Sequence, residues 1–204
     1  MSATRLLVLG TVRMRGEAHG YQVRQDLLMW AADRWANIKP GSIYHALKKL
    51  AADGLLEEVT TEESELGPER VVYRITQQGE GEFYYLLSNA LSSTESGSAM
   101  FNAGLPFITT LERGNLLVLL KSRIQQTRGA ADSIRVLIDE SIAPADGQPG
   151  KPPHVREMFT YWLVTIDAEL NWLKDMVARI ESGEYTLADD SPEAFGNPPT
   201  KPAD

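Results

Sequence analysis

The chain has no cysteine, only three histidines among its 204 residues, and no uninterrupted apolar run of membrane-spanning length. Without cysteine there is no disulfide framework, no thiolate zinc site and no sulfur redox chemistry. His19, His45 and His154 lie far apart in sequence and form no HExxH spacing, and no nucleophile elbow is present, so an enzymatic role has little support and no metal or cofactor is expected. Gly79 and Gly81 open a helix after a strand, but Tyr84 stands where a dinucleotide fingerprint needs its third glycine. The short apolar run Leu6 to Gly10 meets Arg13, Arg15 and Glu17 at once, too early for a signal-peptide core or a membrane span. A cytoplasmic location with no membrane partner is the expectation. The chain also lacks an excess of cations: its net charge is -8, the wrong sign for simple attraction to phosphate. The imbalance is uneven, however, since residues 1–90 hold 10 Lys/Arg against 12 Asp/Glu and residues 91–204 hold 10 against 16. Lys39 to Leu50 carries Lys39, Lys48 and Lys49 and no acid, a local positive face.

What is present is helical periodicity, interrupted once. A first helix over Thr4 to Arg15 is apolar on most of its surface and stops at Gly16. His19-Gly20 opens a second, with Val23, Leu27, Trp30 and Ala31 on one stripe, followed by an extended piece from Trp35 to Ile38. Pro40 suits the first turn of a third helix that Gly54 closes. The period then changes to extended: Leu55 to Thr61 and Arg70 to Ile75 form a predicted hairpin whose tip carries Gly67-Pro68. Thr76 is an N-cap for a fourth helix reaching about Leu91. Three helices, a hairpin and a helix make a winged helix-turn-helix. Ser92 to Asn102, small and polar, is read as a linker. Arg113 to Ile142 follows as one long helix or two broken near Gly129, then a turn rich in Pro and Gly, and then a final helix ended by Gly183. Beyond it, acidic residues and prolines predict a disordered tail.

The third helix carries the chemistry. At about 100° per residue, Ile43, Leu47 and Leu50 point inward together, leaving Gly41, His45, Lys48 and Ala52 opposite and Ser42, Tyr44 and Lys49 on the flanks. Small residues allow close approach, and hydroxyl, imidazole and ammonium groups donate to phosphate oxygens and base edges, as a major-groove helix requires. On the hairpin, Arg70 and Arg74 are candidates for a minor-groove contact, although Glu62, Glu63, Glu65 and Glu69 crowd its tip with like-signed repulsion. The plain alternative is that both arginines pair with those carboxylates.

HGYQVRQDL, PGSIYHALKKLAADGLLE and GPERVVYRIT, in that order within residues 5–88, resemble the PadR family of bacterial transcription regulators. Arg156 to Phe159 and Glu169 to Met176 resemble, more weakly, the dimerisation helix of its longer subfamily. The resemblance implies a homodimer gripping double-stranded DNA at a palindromic operator, commonly as a repressor, and often released by a small-molecule effector. By position, it implies recognition-helix contacts at Ser42, Tyr44 and Lys48, a basic wing contact at Arg70, and a backbone contact at Tyr21.

The final helix has an apolar stripe of Val155, Phe159, Trp162, Ile166, Leu170, Leu173, Val177 and Ile180, more than one helix of the same chain would cover, which makes it the expected dimerisation surface. Tyr161, Trp162 and Trp172 are the candidates for an effector pocket. The expected fold is mainly α with a small β-hairpin: a winged helix-turn-helix at 1–91, a linker at 92–104, a helical dimerisation domain at 105–183 and an acidic tail at 184–204. The rival reading is a winged-helix interaction module that binds another protein and no DNA.

Overall fold

Leucine and valine occupy every side of the first helix, so it is stable in water only when wrapped all round. The computed structural model, which describes residues 2–36, 38–62, 70–142 and 150–196 and only the backbone of residues 60–62 and 70, places it so. In α1 (Ala3–Arg15), Leu6, Leu7, Val8, Leu9 and Val12 are fully buried. Then come β1 (Glu17–His19), α2 (Gly20–Met29), α3 (Ala32–Trp35), α4 (Pro40–Ala52), β2 (Leu56–Glu62), β3 (Arg70–Ile75), α5 (Gln77–Ser92), α6 (Ser98–Gly104), a 3-10 helix (Leu105–Thr110), α7 (Arg113–Ile142) and α8 (Pro153–Glu181). By packing the chain divides into two units, one from Met1–Leu91, Glu95–Leu116 and Tyr185–Asp204, the other from Ser92–Thr94 and Leu117–Glu184.

The first unit is a winged helix with additions. Among its described residues the sheet is antiparallel in the order β1-β3-β2, so the expected hairpin gains a third strand, and β3 lies at its centre. β1 has three residues, too few to show an alternation in sequence. The second helix is shorter than its stripe suggested: it stops at Met29, Ala31 takes φ 53°, and Trp35 belongs to α3, its indole Nε1 donating to the Trp30 carbonyl at 2.9 Å. The junction between sheet and α5 is closed by Thr76, whose hydroxyl donates to the Gly54 carbonyl at 2.8 Å and accepts from the Gly79 amide at 3.0 Å. Gly79 admits no side chain, because a Cβ there would lie 2.0 Å from the Leu55 carbonyl oxygen.

Two segments differ from the sequence reading. Part of the expected linker is α6, with Met100, Phe101 and Ala103 buried. Its small residues serve close packing rather than freedom: a Cβ on Gly104 would sit 3.2 Å from Ala90 and Leu91 side chains of α5. Likewise a Cβ on Gly10 would meet the Phe107 ring at 2.4 Å, so glycine in mid-helix is what lets that ring lie on the α1 backbone. The expected tail is not free over its described part either. Leu187 is fully buried, Ala194 is buried, and the Ala188 amide donates to the Leu111 carbonyl at 3.3 Å. Composition missed this because backbone and guanidinium bonds, rather than a run of apolar side chains, hold the segment. Residues 197–204 lie outside the described residues.

The second unit is built on a helical hairpin. α7 is continuous through Gly129. It runs antiparallel to α8, with Lys121 paired to Glu181 at 2.7 Å and Arg135 to Asp167 at 2.8 Å. Arg123, buried, donates from Nε to Glu169 at 2.8 Å and from Nη1 to the Ser93 carbonyl at 2.7 Å. A buried cation needs such pairing to offset its lost hydration. Phe159, Leu170, Leu173, Val177 and Ile180 of α8 are buried within the chain itself, as are Leu120, Ile124 and Ala131 of α7. Five of the eight stripe residues expected at the dimer interface are thus already covered within one protomer. Val155 and Ile166 are half-buried, and Trp162 is 42% exposed. No described helix is long and apolar enough to cross a membrane.

Candidate nucleic-acid interface

α4 owes its orientation to three side chains. Ile43, Leu47 and Leu50 are at most 2% exposed, which turns the other side of the helix to water. There, Tyr44, His45, Lys48 and Lys49 are exposed and Ser42 is half-buried. Lys39, just before the helix, is exposed as well, and the Ser42 hydroxyl donates to its carbonyl at 2.6 Å, securing the first turn. Tyr44 lies over the start of α2, where a Cβ on Gly20 would come within 2.7 Å of its ring. Next to that contact stands Tyr21, 56% exposed, its hydroxyl accepting from the Gln25 amide at 2.6 Å. The sequence-predicted α4 residues and Tyr21 therefore share one region of the first unit.

Their electrostatic setting differs from that of the arginines. Among the described residues no carboxylate pairs with Lys39, Lys48 or Lys49. Arg15, by contrast, grips Asp26 with two bonds of 2.5 and 2.7 Å, joining the end of α1 to α2, and this bidentate bond raises the Arg15 pKa above its ordinary value. Arg5 pairs with Glu82 at 2.9 Å and Asp53 at 3.0 Å. A cleft of about 330 Å³ brings Arg5, Ser2 and Thr4 of the N-terminal segment together with Ser42, His45, Ala46, Lys49 and Leu50 of α4. Arg5 escaped the sequence reading because its position on a nearly all-apolar helix gives no sign that it comes beside α4.

On the wing, Arg74 is held in ion pairs. Glu17 of β1 and Glu57 of β2 are its register partners on the two neighbouring strands, and its guanidinium bonds to Glu17 and, at 3.3 Å, to Glu57. The bond to Glu17 above all raises its pKa, so it remains a cation whose charge is met within the sheet. The carboxylates that hold it are thus not those of the hairpin tip. Val72, two residues before Arg74 on β3, is buried. The Arg70 side chain, the Gly67-Pro68 tip and Glu63, Glu65 and Glu69 lie outside the described residues.

On α8, Tyr161 is 70% and Trp172 39% exposed, while Trp162 makes an edge contact with Phe159 at 5.6 Å between ring centres. Tyr161 and Trp172, about three turns apart, lie on one face, and Trp162 lies about 100° round the helix from Tyr161. Among the described residues no group of three or more His, Asp or Glu side chains could hold a metal ion.

No curated protein matches the chain. Among solved structures, Bacillus subtilis PadR in complex with operator DNA is 22% identical, with 86% of this chain and 98% of that one covered and a TM-score of 0.38. Bacillus subtilis PadR in complex with p-coumaric acid is 21% identical, with 88% and 99% covered and a TM-score of 0.37. A PadR-like transcriptional regulator from Bacillus cereus is 18% identical, with 88% and 99% covered and a TM-score of 0.36. The winged helix built around α4 coincides with the span that sequence comparison picks out, and residues 8–84 of the chain are a domain of the transcriptional regulator PadR-like family.

Proposed function

We propose that the protein is a cytoplasmic, homodimeric repressor that binds double-stranded DNA at a palindromic operator, each protomer laying α4 in a major groove. The observation that carries this reading is the face of α4: lysines that no carboxylate pairs with among the described residues, flanked by donors and small residues, on a helix packed firmly from behind. Such cations release counterions on meeting phosphate without first breaking an ion pair. In a dimer the half-sites lie about 34 Å apart, one helical turn. The exposed apolar face of α8, with Tyr161, Val164 and Trp172, supports dimerisation through the second unit. A small effector at Tyr161, Trp162 and Trp172 would act by favouring one spacing of the two α4 helices over another.

Footprinting and binding on the DNA upstream of the protein's own gene test the reading. A dyad-symmetric footprint is expected, with log affinity falling against log salt at about -0.9 per phosphate contacted. The capture of Arg74 by Glu17 and Glu57, with the net charge of -8, favours one rival, an interaction module without DNA. Absence of any sequence-selective complex at low salt would leave that rival standing.

A further inference from the structure

The segment Tyr185–Gly196 forms no helix or strand, yet it is fastened at both ends to the winged-helix unit. At its start, Arg113 donates its backbone amide to Asp189 at 3.0 Å and its guanidinium to Asp190 at 2.5 Å and to the Tyr185 carbonyl at 3.3 Å. At its far end, Arg13 of α1 donates to the Gly196 carbonyl at 2.6 Å, and the Thr109 hydroxyl donates to the Phe195 carbonyl at 2.6 Å. Arg13 is itself a hub: its guanidinium lies about 5 Å from the Phe83 and Tyr84 ring centres and bonds to Glu80 and the Tyr84 hydroxyl at 2.8 Å. Gly196 takes φ 89°, and a Cβ there would come 2.7 Å from Thr110, so the seat accepts glycine alone without rearrangement.

Phe195 also adds a ring to an aromatic chain in which Phe83 and Phe107 are fully buried and Trp30 is half-buried. It meets Trp30 edge-on at 6.3 Å, Trp30 meets Phe107 at 5.7 Å, and Phe107 meets Phe83 at 5.5 Å. Trp30 follows the last residue of α2, which packs on α4, and α4 also packs on α1. The segment thus bears on both elements behind the candidate DNA-reading helix. Its anchorage is modest: Leu187 and Ala194 are buried, but Phe195 is 54% exposed. Segments with few buried contacts open at low free energy and are the ones that binding events order or release.

We propose that Tyr185–Gly196 is a detachable strap whose seating on Arg13, Trp30 and Arg113 sets the position of α1 and α2, and through them the fit of α4 to DNA. The proposal rests on the DNA-binding reading above for its last step and on the winged-helix unit alone for the rest.

The test uses the full chain carrying Phe195→Ala or, separately, Asp190→Ala, each at an exposed position that leaves the buried framework intact. Backbone hydrogen exchange is read over residues 105–113 and 185–196, with α8 as internal reference, and affinity is measured on the upstream DNA. Exchange at least fivefold faster in those two segments, unchanged in α8, with at least threefold weaker DNA binding, is the expected result. Unchanged exchange in both variants overturns the strap. Faster exchange with unaltered affinity overturns its control of α4. Failure of the unsubstituted protein to bind the DNA overturns the DNA reading and the final step with it, while exchange still decides whether the segment is a strap.

Discussion

α4 and α8 are amphipathic helices of the same period, and they spend it differently. α4 buries Ile43, Leu47 and Leu50 and shows water a face of donors and of lysines unpaired among the described residues. α8 buries Phe159, Leu170, Leu173, Val177 and Ile180 and still shows Tyr161, Val164 and Trp172. The period states which side chains leave water; it does not state what covers them. The face left over carries the information about partners, a cationic one for an anionic polymer and an apolar one for another protein surface.

The sharpest way to break this contrast is Leu173→Ala, at a fully buried site. As a core substitution it should cost about 2–5 kcal/mol in denaturant unfolding, equally at all protein concentrations. A cost that grows on dilution would return Leu173 to the interface. Val164→Glu, on the exposed side of α8, is expected to weaken dimerisation at least tenfold, about 1.4 kcal/mol or more, in sedimentation equilibrium with little change in the protomer's own fold. An unaltered dimer would move the interface off this face. Lys48→Ala should lower the salt slope of DNA binding by about 0.9 if Lys48 touches phosphate, and shift stability by no more than about 0.5 kcal/mol. Arg74→Gln, removing a cation already held by Glu17 and Glu57, should leave that slope where it was; an equal loss in both variants would erase the distinction between paired and unpaired cations.

The smallest effect concerns Asp190, outside both helices. The Leu187 amide first, and then Arg113, hold its carboxyl below the usual carboxylate range. A depressed value means that the folded state binds the proton less readily than the unfolded one, so the stabilisation is present above the ordinary carboxylate value of about 3.9 and fades as pH falls through the lower, folded one. Exchange in residues 185–196 should therefore be flat from neutral pH to about 5 once intrinsic rates are divided out, and should rise only in stronger acid. Asp190→Asn should abolish that rise.

The α4 face was legible because a thirteen-residue helix with three inward side chains leaves no freedom about which residues point out. α8 was legible as a helix, but what covers its stripe was not, since periodicity is blind to whether α7 or a second copy supplies the cover. The partners of Arg74 were not legible, because they come from a three-residue strand and a cross-strand register that no local pattern reveals. The segments 98–104 and 185–196 were missed for a different reason. Gly104 and Gly196 carry the composition of loops, yet each stands where another chain segment comes too close for a larger residue.

The winged-helix unit is interrupted between Leu116 and Tyr185 by the hairpin of α7 and α8. On the ribosome, at about 5–20 residues per second, the strap emerges on the order of ten seconds after the elements it fastens. Through that interval Arg13 keeps Glu80 and Tyr84, and Trp30 keeps Phe107, while the Gly196 carbonyl and the Phe195 ring have still to be translated.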